Sequence, residues 1–134
     1  MAEAGVSVLI VDDQRPFRVA AGAVVRATPG FDVVGEAASG EEAVEQTDAL
    51  GPGLVLMDIN MAGIGGIEAT RRITSSHPGT RVLLLSTYDA DDLPAGAKAC
   101  GAMGYIHKED FGPDELVALW GEAAGPDREA PLKN

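Results

Sequence analysis

The chain has 134 residues, 46% of them hydrophobic, and its 21 acidic and 10 basic side chains leave a formal net charge of −11. Its length suits one domain that buries roughly two thirds of the surface exposed by the unfolded chain, and its acidity repels a nucleic-acid backbone, which proteins engage through clustered Lys and Arg. With no basic leader and no apolar run long enough to span a bilayer, it reads as a soluble, cytoplasmic protein that binds neither nucleic acid nor membrane through this segment.

In chain order, the apolar run VSVLIV (6–11) reads as a strand that ends on Asp12 and Asp13. Phe17, Ala20 or Ala21, Val24 and Val25 then recur at helical spacing, with Pro16 just inside the start and Pro29-Gly30 beyond the end. FDVVGEA (31–37) is a second strand, and it leads into the chemically bland AASG. A second helix follows Ser39, an N-cap with Glu42 three residues on as in a capping box; it carries Ala43, Val44 and Leu50 and stops at Gly51-Pro52. GLVLM (53–57) is the third strand and runs straight into Asp58. A third helix follows Gly66, with Ile67 and Ile73 facing inward and Arg71 and Arg72 outward, until His77-Pro78-Gly79.

RVLLLS (81–86) is the fourth strand and ends in Ser86-Thr87. The segment DADDLPAGAKACGA (89–102) predicts only a short, locally unstable helix, because Pro94 is tolerated near a helix start and Gly96 costs about 1 kcal/mol relative to Ala in a helix interior. Within it the lone Cys100 has no disulfide partner and no neighbours at zinc-ligand spacing, so it reads as a small packing residue. MGYIH (103–107) is the fifth strand, followed by Lys108. The last helix runs from Pro113 through Leu116, Val117, Leu119 and Trp120, with Asp114 and Glu115 in its first turn, where the helix dipole favours them. Residues 121–134 lose periodicity and read as a tail or linker.

Strands alternating with helices along the whole chain predict right-handed βαβ crossovers and a parallel sheet covered on both faces. In such a sheet the functional crevice lies at the carboxyl ends of the strands. Those ends carry Asp12 and Asp13, Asp58, Ser86, and His107 with Lys108. Carboxylates brought within about 5 Å repel by about 3 kcal/mol per pair at an effective dielectric of about 20, so they need a cation. Lys108 and a hard divalent ion are the candidates, and oxygen ligation with retained waters is the chemistry of Mg²⁺. Asp58 is placed to serve as metal ligand and as nucleophile toward phosphorus, Ser86 to hydrogen-bond a phosphoryl oxygen, and Lys108 to pair with another. For each residue alone, capping of the next turn explains an Asp or Ser equally well; the ordered set on four of five strands is harder to explain that way.

These residues resemble the receiver domains of bacterial two-component response regulators, most closely the NarL/LuxR-type subgroup. VLIVDDQRPFR, LVLMDINMAGIGGIEA, VLLLSTYD and GAMGYIHKED are similar to that family's acidic pair, phospho-acceptor loop, switch hydroxyl and lysine segments. The resemblance implies a flavodoxin-like, CheY-like, doubly wound sheet of order 2-1-3-4-5 with about five helices, a receiver domain over 1–125, and a tail or linker over 126–134. It implies that Asp58 is phosphorylated by a sensor histidine kinase or a small acyl phosphate. It also implies Mg²⁺ held by Asp13, Asp58 and the backbone carbonyl of Asn60, with Asp12 acting through water. Lys108 would contact the phosphoryl group, Ser86 would rotate toward it, and Tyr105 would swing between exposed and buried positions. Output would pass through the face formed by the fourth helical segment, the fifth strand and the last helix, to a homodimer partner or a C-terminal DNA-binding domain.

The chain departs from the family at Ala62, where proline is usual, and at Gly65, where aspartate is usual, so a looser loop is expected. The Pro94/Gly96 segment is a third departure, on the output face. His77 reads as a helix-end residue and His107 as a packed strand residue. Two other readings compete with the self-phosphorylating switch, which is not a turnover enzyme. One is a receiver-like interaction module indifferent to phosphorylation, against which the intact Asp13, Asp58, Ser86 and Lys108 argue. The other is an aspartyl-phosphate phosphatase, which needs an acid two residues beyond the nucleophile, where this chain has Asn60.

Overall fold

The computed structural model describes residues 5–129. Five strands, β1 (Val6–Val11), β2 (Phe31–Ala37), β3 (Leu54–Asp58), β4 (Arg81–Ser86) and β5 (Gly104–His107), form one sheet in the order β2-β1-β3-β4-β5, with every neighbouring pair parallel. Four α-helices accompany it: α1 (Arg15–Arg26), α2 (Gly40–Leu50), α3 (Gly65–Ser76) and α4 (Pro113–Glu129). The strand order is the expected one.

Strand side chains alternate between two cores, one on each face of the sheet. Val8, Ile10, Leu54, Leu56, Leu83 and Leu85 pack with Ala21 and Val25 of α1 and Leu116 of α4. Leu9, Val11, Val55, Met57, Val82 and Leu84 pack with Ala43 of α2 and with Ala69 and Ile73 of α3. Helices on both faces leave β3 buried along its whole length. That is why the strands read as unbroken apolar runs rather than alternating ones. At the edge, β2 carries an irregularity that skips Val34 between the pairs Val8–Val33 and Leu9–Gly35, and Val34 turns to solvent.

The helix boundaries follow local chemistry. Ser39 Oγ accepts from the Glu42 amide at 3.0 Å, while Glu42 Oε1 accepts from the Ala38 amide at 2.7 Å, one residue before a capping box would aim it. Gly51 closes α2 at φ 58°, a left-handed value that glycine adopts without strain. His77 caps the end of α3 and its Nε2 lies 2.7 Å from Asp48 Oδ1 of α2. Ile73 is buried and Ile67 packs against the same core, with Arg71 and Arg72 outside, both paired to Glu68.

Several expectations need correction. Leu50 and Val117, named among the apolar residues of their helices, are 43% and 52% exposed: Leu50 is the last residue of its helix, and Val117 follows the position at which Leu116 enters the core. The segment 89–102 forms no α-helix; it makes two 3₁₀ turns, Ala90–Asp92 and Ala97–Ala99, so α-helices number four among the described residues rather than about five. Pro94 cannot donate a helical hydrogen bond, and Gly96 takes φ 87°, which ends any right-handed helix. Ala97 and Cys100 still anchor the segment in the core, and Cys100 Sγ lies 3.1 Å from the Ala97 carbonyl. The stretch from 121 was read as tail, yet α4 continues to Glu129; residues 130–134 of the expected tail lie outside the described residues.

Candidate functional site

Register assembles the site. β1 and β3 pair with Val11 beside Met57, so the next residues out, Asp12 and Asp58, become neighbours at the carboxyl edge. Asp58 in turn faces Leu85, placing Ser86 one step further along β4, and Ser86 faces His107, which leaves Lys108 just beyond β5. Parallel strands at one register thus bring together four segments that are distant in sequence.

Carboxylate oxygens of Asp12, Asp13 and Asp58 all lie within 4.8 Å of one another; Asp12 and Asp58 are buried and Asp13 is exposed. Lys108 Nζ donates to Asp12 Oδ2 at 2.6 Å and lies 3.3 Å from Asp58 Oδ1. Its ammonium also sits 4.5 Å from the centre of the Phe17 ring. The other oxygen of Asp12 accepts from the Gln14 amide at 2.8 Å, so this carboxylate is fixed from both sides, and the Asp12 backbone carbonyl accepts from Arg18 at 2.7 Å. Burial, and then the neighbouring Asp12 charge, push Asp58 up to about 6, against the Lys108 charge and the Asn60 amide that pull it down. Burial disfavours the charged form of Lys108, but the Asp12 hydrogen bond and the charges of Asp58 and Asp12 outweigh it and hold its pKa above the usual lysine value. A cation is thereby built into the acidic cluster.

Ser86 is buried at the edge of the cluster, where its Oγ accepts from the Tyr88 amide at 2.9 Å. Asn60 is exposed; its side-chain amide donates to the Tyr88 hydroxyl at 3.2 Å. Tyr105 lies apart from the carboxylates, three residues before Lys108. It is packed against the core on the α2–α3 side, with its hydroxyl shielded from solvent and, among the described residues, without a hydrogen-bond partner. Burial raises the Tyr105 pKa, and the charges of Asp89 and Asp110 add to it. His107 Nδ1 accepts from the Glu109 amide, which makes it a turn cap.

The loop after β3 is held more firmly than its composition implies. Glu41 at the start of α2 accepts from the Ile64 amide at 3.2 Å and lies over Gly63. Gly65 has φ 77°, so the aspartate usual at this position would be strained here. Gly66 approaches the Asp58 carbonyl so closely that a Cβ would overlap it. Tyr88, Glu41 and Phe17 are the contributors that sequence reasoning missed. The first two act across 28 and 23 residues, and an aromatic in an amphipathic helix has no signature beyond core packing.

The response regulator receiver domain family matches residues 8–120. The response regulator GacA of Pseudomonas viridiflava is 40% identical over 103 residues, covering 77% of this chain and 48% of that protein. The response regulator UvrY of Escherichia coli O6:H1 is 39% identical over 113 residues, covering 84% of this chain and 51% of that protein. A two-component response regulator of the LuxR family from an Aurantimonas species superposes with a TM-score of 0.80 at 33% identity, covering 91% of this chain and 87% of its own. The chain spans about half the length of the curated relatives it matches. Among the described residues, no helix is long and apolar enough to cross a membrane. With its match over most of the sequence and its strand-end cluster, the chain belongs to the response regulator receiver domain family.

Proposed function

We propose that the protein is a phosphorylation-controlled switch in which Asp58 takes a phosphoryl group from the phosphohistidine of a sensor kinase or from a small acyl phosphate. The observation that carries this reading is the convergence of the Asp12, Asp13 and Asp58 carboxylates within 4.8 Å, beside the Lys108 ammonium. An Asp58 carboxylate oxygen attacks phosphorus; the P–N bond to histidine or the P–O bond to the acyl group breaks, and its electron pair leaves with the imidazole or the carboxylate. The donor set is all oxygen, which fits Mg²⁺, with Asp13, Asp58 and the Asn60 carbonyl as ligands and Asp12 acting through water. When bound, that ion neutralises the non-bridging phosphoryl oxygens. Lys108 gives a further phosphoryl oxygen a charge-assisted hydrogen bond.

Rotation of Ser86 toward the phosphoryl group releases the Tyr88 amide, from which its Oγ otherwise accepts. Tyr88 is also tied through its hydroxyl to Asn60, so this release frees the loop after β4 and offers a two-state element for the new charge to bias. Output then passes through the 89–102 segment, β5 with Tyr105, and α4. A homodimer formed on phosphorylation, and a DNA-binding domain beyond residue 134, are the partners this reading supplies. The chemistry is done on the protein itself in a cytoplasmic setting, without turnover of a free substrate. Incubation with acetyl phosphate and Mg²⁺ followed by intact-mass measurement tests it: wild type gains one phosphoryl group and Asp58→Asn gains none. A wild-type protein that gains no mass would instead favour an interaction module indifferent to phosphorylation.

A further inference from the structure

Three groups surround the Lys108 ammonium: the Asp12 carboxylate at 2.6 Å, the Asp58 carboxylate at 3.3 Å, and the ring of Phe17 at 4.5 Å from its centroid. The two carboxylates are understood from the charge balance of the site. The ring is not, because Phe17 belongs by periodicity to the apolar stripe of α1, and a branched aliphatic residue would serve that stripe equally well. We propose that Phe17 is a positioning residue for phosphoryl transfer, its ring face holding the Lys108 ammonium at the place where the incoming phosphoryl oxygens arrive.

The placement follows from the fold. Phe17 lies in the first turn of α1, directly after the acidic pair, and packs against the core shared by α1, β5 and α4. Lys108 follows β5 on the same side and is only 15% exposed, so the two meet in a largely desolvated space, where a cation over an aromatic face is attracted most strongly. The stem of lysine is long and flexible, and its ammonium carries three donors. A ring face attracts the charge without accepting a directional hydrogen bond. The donors therefore remain for Asp12, Asp58 and a phosphoryl oxygen, while the stem loses the freedom to swing toward solvent. Positioning of this kind acts on the transfer step through Lys108 and not through the metal ligands.

The inference rests on the phosphoryl-transfer reading, and two measurements separate the two. The first is spectroscopic and needs neither metal nor donor: the ε-methylene protons of Lys108 should resonate upfield of the usual lysine position through the ring current, and return to it in Phe17→Leu. Resonance at the ordinary position in wild type would overturn the proposal. The second is the rate of phosphoryl uptake from acetyl phosphate, followed by intact mass, for a series with mono-, di- and trifluorophenylalanine at position 17, alongside Phe17→Leu and Phe17→Tyr.

Fluorination drains the ring face of negative charge with little change of shape. The rate should fall stepwise along the series, by about 3- to 30-fold at its end, with Tyr near wild type, Leu near the end of the series, and Mg²⁺ affinity by calorimetry unchanged. A flat series with a phosphorylating wild type would sink the role of Phe17 alone. A wild type that takes no phosphoryl group would sink the transfer reading and this proposal with it. Should Phe17→Leu fail to fold, the near-isosteric fluorinated series still decides.

Discussion

Asp58 is the carboxylate of the site whose ionisation the fold opposes, and its chemistry can be read in stability. Its carboxyl stands at about 6 in the folded protein against 3.8 for a free aspartate. Below pH 3.8 it is neutral in both states; between there and about 6 the folded protein keeps a proton that the unfolded chain has released. Stability contributed by this group is therefore full at low pH and is lost as pH rises through that window, by up to about 3 kcal/mol. Asp58→Asn should flatten this slope in urea melts with a chelator present, and raise the melting temperature at neutral pH. Lys108→Ala should do the opposite. With Asp12 and Asp58 left without their cation, about 3 kcal/mol should be lost at neutral pH and less near pH 5, where Asp58 takes a proton. Equal losses at both pH values would show that the ammonium does not balance these carboxylates. Asp12, Asp13, Asp58, Ser86 and Lys108 are legible in the sequence because polar residues closing apolar runs stand out against their surroundings. Tyr88 and Glu41 are not, because each works through a contact made across the fold.

At the scale of elements, the loop after β3 depends on backbone proximity. Gly66 lets α3 start against the carbonyl of Asp58 itself. Gly66→Ala should cost about 3 kcal/mol and weaken Mg²⁺ binding by calorimetry, because the helix must withdraw from the strand end that carries the site. An alanine variant with wild-type stability and metal affinity would contradict the close approach. The 89–102 segment behaves differently. Its two 3₁₀ turns lack the continuous hydrogen-bond ladder of a helix, and among its described residues Ala97 and Cys100 alone are fully buried, with Leu93 and Ala102 partly buried against the same core. Amide hydrogens there should exchange with solvent markedly faster than those of α3, a continuous helix whose Gly66, Ala69, Thr70 and Ile73 are buried. Protection equal to that of α3 would argue for a helix the structure does not show. The weakness of this segment is visible in the sequence through Pro94 and Gly96, whereas the extension of α4 to Glu129 is not, because Gly121, Gly125 and Pro126 erase the periodic signal without preventing the conformation.

For the whole molecule, the proposed Mg²⁺ site should make stability a function of divalent ion. Mg²⁺ binding only the folded state should stabilise by about 2.7 kcal/mol at 100 times its Kd, and the gain should shrink below about pH 6 as Asp58 takes up its proton. Thermal melts over a Mg²⁺ series at two pH values measure it, and an equal gain in Asp13→Asn would place the ion elsewhere. Strand and helix identities, the two-sided burial of the sheet and the polar residues at strand ends are all present in the sequence, because periodicity, capping and turn chemistry are local properties that neighbouring residues write together. Strand order came only through resemblance, since no local signal says which strands lie side by side. Tertiary structure alone decided that Lys108 reaches Asp12 across 96 residues, that Phe17 lies under its ammonium, and that burial lifts Asp58 to about 6. Those outcomes depend on register and desolvation, which exist only once the sheet has closed.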